Sequence, residues 1–350
     1  MEAFRADARI HIKRESEISC WLTIMSEEII IKYSTVLTKL RCAYVKGMGM
    51  APHKPILLLS IIQLVAKGVI TSNRIFITAD LMLAFRQNWK FLVETKHTPN
   101  FSLPFFHLRS EPFWYLVAKP GKEIETTSSK SIKSFKNLKE SIAYAEIDRD
   151  LFFLLQEIPN QLWFEHLLLE NYFPNSKYVY LRPERNYEEE KIENEILNEP
   201  KEDYQNHIER LRETLQQEEF EEEIFVRGGL FKKTIPKIYD YTCCITGMRI
   251  QSSHNVQMID ACHIYPFSVS RDDTVTNGIA LSPTLHRAFD RGLITINSDF
   301  VVRISPTIIE EESNYTLSQF SGRQINLPQK EKYYPAQESL QWHNKEVFLL

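Results

Sequence analysis

DACHIYPFSVSRDDTVTNGIALSPTLHRAFD, residues 260–290, places His263, Asn277 and a His286/Asp290 pair at spacings suited to one metal-dependent hydrolytic site. The pattern before and around His263 predicts a strand over residues 256–264, followed by a polar loop over 268–276. Asn277-Gly278 is a turn signal, and residues 278–281 predict a short return strand. Ser282-Pro283 supplies the N-cap and first-turn proline of a helix that runs through about residue 289 and stops near Gly292, with a further strand over 293–296. On that helix His286 and Asp290 lie four residues apart and share a face.

Hydrolysis of a phosphodiester needs a water deprotonated in line with the leaving oxygen and a cation to take up negative charge on the phosphoryl group. His263, at the end of the first strand, is the candidate base, because imidazole accepts a proton near neutral pH. His286 and Asp290 are candidate metal ligands. Asp260 is a weaker one, since residues three apart on a regular strand face opposite sides unless the backbone bends. Asn277 either fixes the loop or holds the base by hydrogen bonding. Arg287 and Arg291 are candidates to clamp phosphate oxygens of DNA. Singly, these features read as a structural histidine, a helix-surface pair, a turn and solvated arginines. Their coincidence in one strand-strand-helix unit favours a nuclease.

The unit resembles the HNH endonuclease family, whose ββα-metal fold carries the base on the first strand, asparagine near the second and metal ligands on the helix. The matching residues are His263, fourteen positions before Asn277, which lies nine before His286. CHIYPF, NGIALS and LHRAFDRGLI are similar to the HNH domains of McrA-like, modification-dependent restriction enzymes. The resemblance implies that His263 activates water, Asn277 supports it, and His286 with Asp290 contacts one divalent metal ion and the scissile phosphate. Magnesium or manganese is the expected ion, with nickel, cobalt and zinc as alternatives. The family often has Asp or His immediately before the base, where this chain has Cys262. A thiolate there favours a softer ion such as zinc and a buried thiol fills space; packing is the expected role. Cys243-Cys244 resembles the hairpin before the site, where some relatives hold zinc with two CxxC pairs. This chain has no second pair, so no such zinc is expected.

Around that unit, 350 residues with 43% hydrophobic content allow two domains with cores of their own. Five irregularly spaced cysteines argue against a secreted disulfide scaffold and suit a reducing cytoplasm, the expected location. The longest apolar stretch, residues 56–65, is interrupted by Ser60 and Gln63 and is too short to span a bilayer, so no membrane partner is expected. Arg5, Arg9, Lys13 and Arg14 precede no continuous apolar region of the kind a signal peptide has. The net charge of −4 is uneven: residues 1–140 carry +9, 141–227 carry −13, and 228–350 are neutral. A basic first part favours a polyanionic partner.

The expected fold class is α+β. A loosely ordered extension over 1–24 precedes a mainly helical DNA-recognition domain over 25–186, an acidic helix or linker over 187–227, and a ββα-metal nuclease domain over 228–350. Helices are expected near 30–42, 56–69, 79–92 and 151–169, with aromatic-rich short strands or loops over 101–117.

KGMGMAPHKPILLL (46–59) and LPFFHLRSEPFW (103–114) are similar to the sulfur-binding domains fused to HNH nucleases that restrict phosphorothioated DNA. The resemblance implies that basic residues near PHKP approach the DNA backbone and that a small apolar cup takes the sulfur. His53, Lys54 and Arg109 are the implied DNA contacts and Pro104 the match to the cup. Leu103 stands where the relatives have tyrosine, and His107 where a small residue would suit the cup. The implied function is a metal-dependent endonuclease that restricts phosphorothioated double-stranded DNA. Two alternatives stay open: an HNH restriction enzyme that reads a modified base or a specific unmodified sequence, and a non-catalytic DNA-binding or regulatory protein with a degenerate HNH unit. One HNH site cuts one strand, so a double-strand break requires sequential cuts or two copies, for which a homodimer is a solution.

Overall fold

The computed structural model describes residues 27–124, 132, 134–180, 186–250, 258–311 and 313–350, and the chain divides into two compact units, 1–184 and 185–350. The extension expected over 1–24 lies outside the described residues.

The first unit begins with helix α1 (residues 27–38) and a two-residue ladder of β1 (Tyr44–Val45) with β2 (Gly49–Met50). Helix α2 (His53–Ala66) is buried on nearly every side, as its almost unbroken apolar sequence requires. Helix α3 (Ala79–Leu92) packs against it and starts where the Thr78 hydroxyl accepts from the Leu81 amide at 3.2 Å. The expected strands or loops over 101–117 instead begin as helix α4 (Ser102–His107). Its physical cause is the aromatic spacing: Phe101 and Phe105 are four apart, so a helical turn buries both, against Phe85 and Trp114 respectively. Strands β3 (Arg74–Ile75), β4 (Trp114–Ala118) and β5 (Ile142–Ile147) form an antiparallel sheet in the order β3-β5-β4. Helix α5 (Phe135–Ser141) leads into β5. The helix expected over 151–169 is two, α6 (Arg149–Leu154) and α7 (Ile158–Tyr172), because Pro159 suits a new first turn. A short α8 (Lys177–Tyr180) follows.

The second unit opens with three helices, α9 (Tyr187–Asn198), α10 (Lys201–Thr214) and α11 (Gln217–Ile238). Most of this stretch was expected as a solvated helix or linker. Instead Ile192 and Ile196, and Tyr204 and Ile208, are buried pairs at helical spacing, and Glu195 pairs with buried Arg227 at 2.7 Å. Helix α11 runs without a break through Gly228-Gly229, the expected domain start, since glycine inside a helix costs only about 1 kcal/mol. It packs on the antiparallel hairpin of β6 (Asp260–His263) and β7 (Gly278–Leu281), registered Asp260 to Leu281 and His263 to Gly278. The contact is tight: a Cβ at Gly278 would lie 2.3 Å from Ile235 Cδ1 and 2.8 Å from Phe231 Cζ.

Strand β6 is shorter than the expected 256–264, whose first two residues fall outside the described ones. The connecting loop contains one helical turn, α12 (Phe267–Ser270). Helix α13 (Pro283–Asp290) follows Ser282 with proline in its first turn, then β8 (Ile294–Ile296) pairs with β9 (Val302–Ile304), and α14 (Gln337–Glu346) packs on β8. Cys244, Cys262, Ile279, Leu281, Leu285 and Phe289 fill the core under the hairpin. Among the described residues no helix is long and apolar enough to cross a membrane.

Candidate functional site

The pleat of β6 sends Ala261 and His263 to one face and Asp260 and Cys262 to the other. On the first face the His263 ring stacks on Phe231 of α11, with centroids 3.9 Å apart and planes 5° apart. Its Nε2 lies 2.8 Å from Asp273 Oδ1. An ionised carboxylate only accepts, so the ring proton sits on Nε2 and the lone pair of the neutral ring on Nδ1. Asp273 is buried, and its other oxygen lies 3.5 Å from the Tyr204 hydroxyl of α10. Burial, reinforced by the charge of Asp273, holds that phenol far above its ordinary value, so it is a neutral donor. Sequence reasoning singled out neither residue: Asp273 sits in a polar loop and Tyr204 in an acidic run.

Asn277 takes the first of its two expected roles. Wholly buried, it donates to the carbonyls of Tyr265 at 2.8 Å and Asp272 at 2.9 Å and accepts from the Tyr265 amide at 2.9 Å. It thereby clamps the two ends of the loop that delivers Asp273. The neighbouring Asp272 carboxyl is raised by burial and accepts from the Thr274 amide at 2.8 Å.

On the opposite face of β6, His286 Nδ1 lies 3.1 Å from Asp260 Oδ2 and His286 Nε2 lies 3.4 Å from Asp290 Oδ2. Cys262 Sγ reaches Asp290 Oδ1 at 3.8 Å. Ligand atoms of Cys262, His286 and Asp290 all fall within 4.8 Å of one another, a sulfur, nitrogen and oxygen set that could hold one divalent ion. His286 and Asp290 are 27% and 57% exposed at their side chains, which leaves the set open to solvent on one side. Asp260, expected as a ligand, is not in this set. It meets the other nitrogen of the His286 ring, the place from which a carboxylate orients a ligating histidine. Cys262 is buried, as a packing role expects, and its sulfur also lies within the candidate ligand set, while burial and Asp290 push its thiol well above the usual range. Arg287 and Arg291 are exposed, at the last turn of α13 and just beyond it.

Glu195, Glu199 and His207 form a second set of potential ligands that the sequence did not suggest. Arg227 already donates to Glu195 at 2.7 Å and to Glu223 at 2.8 Å, so one carboxylate of the set is already paired with a buried guanidinium.

In the first unit, Cys42, His53, Lys54, Leu103, Pro104 and His107 line a cavity of about 370 Å³. His53 donates from Nε2 to the Thr98 carbonyl at 3.0 Å, and burial pushes its pKa down to about 4, so the ring is neutral. His107 is lowered by burial and by Lys54 and Arg109, and burial pushes the Cys42 thiol up to about 11. Lys54, expected on the DNA backbone, is instead turned inward, 2.5 Å from Glu111 and 2.8 Å from Ser110. Arg109 is exposed with its guanidinium 3.9 Å over the Phe106 ring.

Residues 243–297 match the family HNH_2, HNH endonuclease. Among solved structures the chain is similar to the modification-dependent TagI restriction endonuclease, at 16% identity and a TM-score of 0.25, over 33% of this chain and 37% of that one. It is also similar to the Type IV phosphorothioation-dependent restriction endonuclease ScoMcrA, at 11% identity and a TM-score of 0.29, over 73% of this chain and 94% of that one. No curated protein matches. The molecule is a mostly helical N-terminal region followed by a mixed strand-and-helix C-terminal part that contains an HNH domain at residues 243–297.

Proposed function

We propose that this chain is a metal-dependent endonuclease that restricts phosphorothioated DNA by phosphodiester hydrolysis. The observation that carries the hydrolytic part is the hairpin-helix geometry, with His263 fixed on one face of β6 and the Cys262, His286 and Asp290 donors gathered on the other. His263 takes the proton of the attacking water on Nδ1, its ring plane held by Phe231. Cys262, His286 and Asp290 would hold a divalent ion, with Asp260 orienting His286. Such an ion supplies positive charge to the phosphoryl and leaving oxygens. Arg287 and Arg291 hold neighbouring phosphates.

The cavity supports the recognition part. Phosphorothioate differs from phosphate by one larger, less hydrated atom, so a wall of Leu103, Pro104 and neutral histidines favours it over an oxygen. Arg109 contacts the backbone beside it. In this division of labour the first unit reads the mark and the second cuts. A second reading is favoured by size alone: about 370 Å³ is many times the volume of a sulfur atom and admits an extruded modified base.

The test is nicking of matched plain, phosphorothioated and methylcytosine duplexes at one salt concentration, with magnesium, manganese, nickel, cobalt and zinc in turn. Cleavage confined to the phosphorothioated duplex is expected. Cleavage confined to the methylated one selects the modified-base reading. Tight binding without nicking under every ion overturns the enzyme and leaves a DNA-binding module.

A further inference from the structure

We infer that Asp273 and Tyr204 are positioning residues for His263, a role that rests on His263 being the general base. Three observations support the chain of contacts. His263 Nε2 and Asp273 Oδ1 are 2.8 Å apart, Asp273 Oδ2 and the Tyr204 hydroxyl are 3.5 Å apart, and both Asp273 and Tyr204 are buried. A carboxylate inside a protein is costly unless donors meet it, and here one donor comes from the catalytic loop's own strand and the other from α10. Tyr204 is held in turn: the Arg227 guanidinium lies 5.6 Å from its ring centroid and is tied to Glu195 and Glu223.

The order of donors decides where the ring proton sits. Tyr204 donates to Oδ2, which orients the carboxylate and presents Oδ1 to His263. Nε2 must then be the N–H nitrogen, and Nδ1 faces the water with its lone pair. When the water proton moves to Nδ1, the imidazolium forms opposite a fixed negative charge. The Nε2 proton stays on nitrogen, and Asp273 exchanges no proton. Helices α10 and α11, which place no side chain on the scissile bond in this scheme, thus set both the tautomer and the plane of the base.

Asp273→Asn separates this role from simple packing, because it preserves shape. Tyr204 keeps the amide oxygen, the amide NH₂ faces Nε2, and the ring proton must move to Nδ1, the nitrogen the water needs. The full chain, labelled with ¹⁵N-histidine and kept free of metal at one mildly alkaline pH, reports the tautomer directly, with His263→Gln identifying the signal. The wild type is expected to show the Nε2–H form and Asp273→Asn the Nδ1–H form, with kcat for nicking reduced about 100-fold or more and KM changed less than about twofold. Tyr204→Phe, which keeps the ring, is expected to raise the Nδ1–H fraction and reduce kcat about tenfold. An unchanged tautomer in Asp273→Asn, or a kcat within about threefold of wild type, overturns the role of Asp273. An unchanged spectrum in Tyr204→Phe overturns that of Tyr204. If Asp273→Asn loses its near-UV circular dichroism, the Tyr204→Phe spectrum decides alone. A wild type that nicks no DNA defeats the nuclease reading, while the spectra still decide the positioning role.

Discussion

The histidines of the two units are used in opposite ways. In the N-terminal cavity His53 and His107 are kept neutral by burial, and the ammonium of Lys54 is cancelled by Glu111. In the HNH domain His263 and His286 each face an aspartate, at 2.8 and 3.1 Å. Burial leaves these two rings uncharged. A carboxylate at hydrogen-bond distance fixes a tautomer and tolerates positive charge, which is what proton transfer and metal ligation require.

The strongest attempt to break this contrast is His263→Ala, which is expected to lower the nicking rate by about 100- to 10,000-fold, with DNA affinity in a gel-shift titration held within about twofold. Glu111→Ala leaves the Lys54 ammonium buried and unpaired, and urea denaturation is expected to show a loss of about 3–5 kcal/mol. On the other side, Asp260→Ala frees the His286 ring, so calorimetric manganese affinity is expected to fall about 10- to 100-fold.

Acid sharpens the comparison further. The folded value of His53, about 4, lies below an unfolded value of about 6.5, so its contribution to stability is fully present above about 6.5 and is lost as pH falls toward 4. His53→Gln is expected to remove part of the slope of unfolding free energy between those limits. His343 in the second unit, also pushed down to about 4 by burial, and His107, lowered as well, keep part of the remainder. The smallest effect is expected of Arg287→Ala: about one unit less in the slope of log affinity against log salt, measured by fluorescence anisotropy, with no change in which mark is preferred.

The start of α13 and the meeting of His286 with Asp290 were legible because their signals are local. Ser282-Pro283 starts the helix and a four-residue step puts His286 beside Asp290, so neither needs knowledge of distant chain. Strand β7 was legible for the same reason, its start marked by Asn277-Gly278. Asp273 was not, because nothing in RDDT says which aspartate turns inward; that depends on Asn277 closing the loop and on a tyrosine 69 residues earlier. A helix was one of the two readings of 187–227, but the packing of these helices was hidden by composition. Glutamate density reads as solvent exposure, while the informative signal was sparse: Ile192 with Ile196, Tyr204 with Ile208, and one arginine able to bury a glutamate. Gly228-Gly229 marked no boundary, since helix-stabilising contacts on either side outweigh two weak helix formers. At Lys54, sequence shows a cation but not the Glu111 that claims it from 57 residues away.

Gly278 gives the hairpin a mechanical meaning. Its missing side chain is the clearance that lets Phe231 and Ile235 seat against β7, and Phe231 is also the surface on which His263 lies. A methyl group at that position collides with the Ile235 and Phe231 side chains, so one of them must shift, and a shift of Phe231 takes the backing from His263 although every charged group is intact. On the proposed nuclease reading, nicking therefore depends on volume at a residue with no chemistry of its own.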